Sequence, residues 1–172
     1  MGGFFGVVSK HDAISDTFFG TDYHSHLGTR RGGMAAYSPT IGLQREIHNI
    51  ENAPFRTKFE HVFKDMEGTS AIGCISDTDP QPLLVRSHLG MFAIATVGII
   101  NNAEELVAET FAAPGHYFMA MSSGKVNSAE LIAALINRCD NLVDGIKYAQ
   151  ELVEGSCTIL LLTTDGIIAA RD

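Results

Sequence analysis

Apolar and polar positions along this chain change period several times, from the alternation of strands to the three- and four-residue spacing of helices. The first block, Gly2-Gly3-Phe4-Phe5-Gly6 running into Val7-Val8, predicts an N-terminal strand bounded by glycines. Its small residues at positions 2, 3 and 6 leave room for another group, or another backbone, to come close. Residues 12 to about 28 carry helical spacing through Ile14, Phe18 and Leu27, with Asp12 placed to begin the helix and Gly28 to end it. Arg30-Arg31-Gly32-Gly33 reads as a turn, a solvated corner or an anion site, and Met34 to Tyr37 as a short buried strand. Residues 41 to 57, with Pro39 and Pro54 at their margins, read as an exposed strand or excursion. Phe59, Val62, Phe63 and Met66 mark a short helix.

From Gly68 onward the spacing predicts short strands over Ala71 to Ile75, Leu83 to Arg86 and Met91 to Val97. Asn102 to Phe111 reads as a helix with Leu106 and Val107 inward and Glu104, Glu105 and Glu109 outward. Asn127 followed by Glu130 has the spacing of a capping box, and Leu131, Ile132, Leu135 and Ile136 form the buried stripe of the next helix. A further helix covers roughly Leu142 to Val153, closed by Gly155. Thr158 to Thr163, the Asp165-Gly166 turn and Ile167 to Ala170 predict a terminal hairpin. Strands at the start, middle and end, with helices grouped between them, indicate an α+β domain of two mainly antiparallel sheets covered by helices.

Composition narrows the function classes. The 172 residues suit one domain with a substantial core. No apolar run approaches the ~20 residues that span a bilayer, and the first residues lack the pattern of a signal peptide. A soluble, cytoplasmic protein without a membrane partner is expected. A formal charge of -8 argues against nucleic acid, whose backbone demands clustered positive charge. Cys74, Cys139 and Cys157 are far apart among apolar neighbours, as buried thiols of a reducing compartment would be. His24 and His26 point to different faces of a helix, so no metal is expected there. Arg171-Asp172 directly follows the last strand, so a piece of a longer chain is expected.

These residues also resemble a known family. Gly2-Gly3-Phe4-Phe5-Gly6-Val7 looks like the Cys-Gly-Ile-Phe-Gly beginning of class II glutamine amidotransferases. Leu27 to Ala36, with Arg30-Arg31-Gly32, resembles the Gln-His-Arg-Gly segment of the amidophosphoribosyltransferase branch. Ile72-Gly73 followed by Pro80-Gln81-Pro82-Leu83-Leu84-Val85 resembles that branch's Gly-His-x-Arg-Tyr strand and the Ala-Gln-Pro after it. Gly98-Ile99-Ile100-Asn101-Asn102 resembles its Asn-Gly-Asn segment, and Leu160 to Asp172 the strand pair that closes the glutaminase domain. The glucosamine-phosphate synthase and asparagine synthase branches fit less well at the Arg-Gly turn and the closing Ala-Arg-Asp.

The resemblance implies a four-layer αββα sandwich of the N-terminal-nucleophile hydrolase type, a single amidotransferase-like domain over residues 1–172. It further implies a phosphoribosyltransferase domain following in cis, a place in purine biosynthesis, and a homo-oligomer. No cofactor is implied for this domain.

The chemistry implied by the family is altered at the residues that would carry it. The nucleophilic Cys, whose thiol attacks the glutamine amide while its own amine handles the proton, falls at Gly2, behind a retained Met1. The Arg that forks onto the substrate carboxylate falls at Ser76. The Asn that donates to the oxyanion falls at Val97, with Gly98 kept, and the Asp that meets the substrate ammonium falls near Ser128. Losing one oxyanion donor costs roughly 3 kcal/mol. The expectation is a domain that no longer hydrolyses glutamine and persists as a scaffold or regulatory module. Two alternatives stay open: an amidohydrolase with a replacement nucleophile, Cys74, on the same strand face as Ser76, and a small-ligand module re-using the pocket.

Overall fold

A computed structural model describes residues 2–112, 114–122 and 124–171. The first sheet has the order β1-β4-β2-β3, built from β1 (Gly2–Val8), β2 (Arg31–Ser38), β3 (Gly42–Asn49) and β4 (Ser70–Ser76). The second has the order β10-β9-β6-β5, built from β5 (Leu83–Ser87), β6 (Gly90–Ile100), β9 (Gly155–Thr163) and β10 (Gly166–Ala170). Within both sheets every pairing is antiparallel. A small ribbon joins β7 (Met121–Ser122) to β8 (Lys125–Val126).

Three apolar clusters define the layers. Ala35, Ile72, Cys74, Ala93, Ala95, Leu160 and Leu162 fill the space between the sheets. The other face of the first sheet packs Met34, Ala36, Ala71 and Ile75 against α1 (Ile14–Tyr23), α2 (Phe55–Phe59) and α3 (Val62–Asp65). The other face of the second sheet packs Phe92, Ile94, Ile159 and Leu161 against α4 (Ala103–Ala112), α5 (Ser128–Ile136) and α6 (Leu142–Leu152). The result is the αββα sandwich, with an apolar layer at each of its junctions.

Several local expectations are corrected. Arg31, Gly32 and Gly33 lie inside β2, which pairs with both β3 and β4, so the predicted turn is a central strand. Glycine is needed there because a Cβ on Gly32 would press into Phe55 at 2.8 Å, and one on Gly33 would overlap the backbone of Gln81. The helix expected to reach position 28 ends at Tyr23, and a 3-10 turn over Ser25–Leu27 follows. The short helix expected over 59–66 is two, α2 and α3, divided at Glu60-His61. Gly155 opens β9 rather than closing α6, which ends at Leu152. Asp12 does cap the start of α1, its carboxylate accepting from the N–H groups of Ile14 and Ser15.

The capping box is half realised. Asn127 Oδ1 accepts from the Ala129 N–H at 2.9 Å, but Glu130 turns away to accept from Met119 and Ala120 N–H at 2.7 Å each. Glu130 thus holds the incoming chain instead of the cap. Among the described residues no helix is long and apolar enough to cross a membrane.

Candidate functional site

The N-terminal strand pairs with β4 so that Gly2 faces Ser76 and Phe4 faces Cys74. On the other sheet β6 pairs with β9, setting Val97 against Thr158 and Gly98 against Cys157. A cavity lies between the ends of these strands, and α5 brings its first residue, Ser128, to it. The cavity between them has a volume of about 360 Å³. Gly2, Ser76, Val97, Gly98 and Ser128 all line it, so five positions spread over the sequence share one site.

The loop after β4 shapes the floor, and it is tightly fastened. Ser76 Oγ accepts from the N–H groups of Thr78 and Asp79 at 3.2 and 3.1 Å, closing a turn on its own strand end. Asp77 Oδ1 accepts from the Thr29 N–H at 2.7 Å. Asp79, nearly buried, accepts from the Ser128 N–H at 3.1 Å and so places a carboxylate on the positive end of α5. Asn127, fully buried, donates from Nδ2 to the Pro80 carbonyl at 2.9 Å while its oxygen caps the helix.

Gln81 completes the frame. Its side-chain amide pairs with both backbone groups of Thr96, Oε1 accepting at 2.6 Å and Nε2 donating at 3.1 Å. A buried polar side chain so satisfied fixes the loop to β6, because either backbone group left bare would lose its full hydration without return.

Two glycines at the cavity are set by crowding. A Cβ on Gly2 would lie 2.6 Å from the Ile75 carbonyl oxygen, and one on Gly98 would overlap the Ser156 carbonyl. Met1 is outside the described residues, so its expected retention before Gly2 is not a structural matter here.

The described residues of the lining carry acidic and hydroxyl side chains. Asp77 and Asp79 contribute carboxylates, Ser76, Thr78, Thr96, Ser128 and Ser156 contribute hydroxyl side chains, and no Lys, Arg or His is among the described lining residues. A free amino acid carries both an ammonium and a carboxylate, and these residues provide no cation for the second.

Cys74, the candidate replacement nucleophile, does share the strand face of Ser76, but it is two residues deeper, inside the layer between the sheets. It does not line the cavity, and burial pushes its thiol pKa up, away from the thiolate. Its burial and its place outside the cavity lining weigh against a nucleophilic role for Cys74. The sequence reading passed over Cys157, which does line the cavity while packing into the apolar layer beneath α5 and α6. It also missed Asp77, Asp79 and Gln81. A signal was available for Gln81 in its place between Pro80 and Pro82, but none distinguished the two aspartates from loop residues. Arg30, half of the predicted anion site, is paired with Glu51 at 3.4 Å on the surface.

Comparison with known proteins gives one consistent answer. No family model matches the chain. It is 26% identical to the amidophosphoribosyltransferase of Methanocaldococcus jannaschii, over all of this chain and 38% of that protein. The amidophosphoribosyltransferase of Synechocystis sp. is 25% identical over 99% of this chain and 35% of its own length. Among solved structures, glutamine phosphoribosylpyrophosphate amidotransferase from B. subtilis, complexed with ADP and GMP, superimposes with a TM-score of 0.84 at 26% identity. That superposition covers the whole of this chain and 37% of the other. The chain therefore spans little more than a third of the length of these relatives.

Proposed function

We propose that this chain, a homologue throughout its length of the N-terminal third of amidophosphoribosyltransferases, is a glutaminase-like domain that has lost glutamine hydrolysis. It serves as a scaffold or regulatory module for a phosphoribosyltransferase domain that follows it in a longer polypeptide, within purine biosynthesis. Such a pseudoenzyme would leave its partner domain to use free ammonia. The observation that carries the reading is the cavity lining, where Gly2 supplies no side chain and the described residues supply no cation.

Each missing group removes a separate requirement of the reaction. Without a thiol or hydroxyl at residue 2, no covalent intermediate forms there. Among the described lining residues no Arg, Lys or His supplies a fork of donors for the substrate carboxylate. The Val97 side chain has no donor for an oxyanion. The loop at the cavity is nonetheless firmly fastened, through Asn127 and Gln81, as a domain retained for its shape would require.

The test is ammonia release from glutamine by the purified chain, with turnover expected at the level of buffer. Turnover that tracks the chain through successive purification steps would overturn the reading. Where the downstream domain is present, transfer with ammonium salts and none with glutamine is the expected pattern.

A second reading draws on the retained volume of the cavity: a binding module for a neutral small molecule. Val97 and the hydroxyl-bearing residues suit such a ligand better than a zwitterion. A rise in melting temperature with neutral metabolites, and none with glutamine, would favour it over a purely structural role.

A further inference from the structure

Three side chains from separate parts of the sequence meet at the outer edge of the first sheet. Glu46 and His48 stand two residues apart on β3, the terminal strand, so strand alternation directs both to one face. His61 lies at the junction of α2 and α3. Nε2 of His48 is 3.2 Å, and Nε2 of His61 3.8 Å, from the same oxygen, Oε2 of Glu46. One donor atom from each of the three residues falls within 4.8 Å of both others.

The rings do not stack. Those of His48 and His61 are nearly perpendicular, with centroids 5.4 Å apart, and the edge of Phe59 holds the His48 ring from another side at 4.9 Å. The Nε2 atom of His48 is sealed from solvent and makes no hydrogen bond, despite its nearness to the carboxylate. A buried polar atom left in this state is costly unless something else completes its coordination.

We propose that Glu46, His48 and His61 form a binding site for a divalent transition-metal ion, with Zn2+ as the best fit. Zinc holds imidazole nitrogen and carboxylate oxygen at about 2.0–2.2 Å in a tetrahedron, which puts neighbouring donors roughly 3.3–3.5 Å apart. The separations of 3.2 and 3.8 Å to Glu46 bracket that spacing, so small side-chain rotations close the site. Two imidazoles with one carboxylate form a donor set of borderline softness, whereas calcium and magnesium take oxygen donors. All three side chains are about one-third exposed, although the His48 Nε2 atom itself is sealed. Sequence spacing gives no sign of the site, since the only close histidine pair is His24 and His26. His61 lies fifteen positions after Glu46, and only the fold joins them.

The ion would act as a brace. It ties the edge strand β3 to the α2–α3 junction, a place where two helices of five and four residues have little stability of their own. The site is separate from the cavity, whose lining comes from β1, β4 and the loop after it, β6, β9 and α5.

The test titrates the whole 172-residue chain, stripped with chelator, with Zn2+ and with Co2+. One equivalent should bind with a dissociation constant in the micromolar range or below, and Co2+ should give visible bands of a nitrogen and oxygen ligand set. His61→Ala and Glu46→Gln should each weaken binding by about 100-fold, the upper end of what even outer-shell changes cost, while His24→Ala should leave it unchanged. Far-ultraviolet circular dichroism checks that the variants remain folded, and two different ligands are altered so that neither variant decides alone. Wild-type affinity equal to that of both variants would overturn the proposal. So would a thiolate-to-cobalt charge-transfer band, which would assign the binding to a cysteine.

Discussion

Gly2 faces Ser76 across the β1–β4 pair, and a side chain begun on Gly2 would start 2.6 Å from the Ile75 carbonyl oxygen. The glycine is therefore fitted to its surroundings, since a real Cβ would require β4 or β1 to shift. Gly2→Cys is expected to destabilise the domain by roughly 1–3 kcal/mol, as overpacking against a backbone does. It should also fail to restore glutamine hydrolysis, because the described lining still lacks a cation. Urea unfolding and an ammonia assay on the same preparation check both parts.

Cys74 should be inert in the folded protein. Burial raises its thiol pKa from the ordinary 9.0, so at pH 8 it stays protonated and shielded. A thiol-directed electrophile followed by peptide mapping should leave Cys74 unlabelled until denaturant is added, whereas the half-buried Cys139 labels in the native state.

The same shift has a consequence for pH. Above the ordinary thiol range the unfolded chain releases the Cys74 proton while the folded chain holds it, so the unfolded state binds fewer protons and stability falls as pH rises. The contribution is fully present below pH 9.0 and is lost above it, with a limiting slope of about 1.4 kcal/mol per pH unit for one such group. Denaturation midpoints between pH 8 and 10 should show a steeper decline in the wild type than in Cys74→Ala.

Gln81→Met keeps the volume but strands both backbone groups of Thr96. A loss of roughly 2–6 kcal/mol is expected, at about 1–3 kcal/mol for each of the two unsatisfied buried groups. Chemical denaturation measures it. Hydrogen exchange should show the Thr96 amide, protected in the wild type, among the fastest of β6 in the variant.

Gly145 sits inside α6, where propensity alone would favour alanine by about 1 kcal/mol. A Cβ there would lie 2.5 Å from the Ile136 carbonyl oxygen of α5. Packing should win, and Gly145→Ala should lower stability by about 1–3 kcal/mol rather than raise it. Thermal unfolding gives the sign directly.

Much of the molecule was present in the pattern of its residues. Apolar, β-rich runs such as Thr158 to Thr163 and helical stripes such as Leu131, Ile132, Leu135 and Ile136 are local, and each falls in the element it predicts. The resemblance of the first strand and the Gly98 segment to a known family supplied the layer order that local pattern does not contain. The sequence was misleading where residues answer to distant partners. Arg31-Gly32-Gly33 has the composition of a turn, yet it is a central strand because two strands flank it and aromatic rings lie on Gly32.

The candidate sites divide along the same line. That Gly2, Ser76, Val97 and Ser128 differ from the residues the family resemblance implies is a matter of residue identity, legible in the sequence by itself. Tertiary structure alone decided that Cys74 is sealed between the sheets while Cys157 lines the cavity, and that Asp77 and Asp79 enter it. It alone brought His61 to Glu46 and His48. The physical reason is the same in each case: burial, charge pairing and coordination depend on distances between atoms remote in sequence, and those distances are set by how the sheets and helices pack.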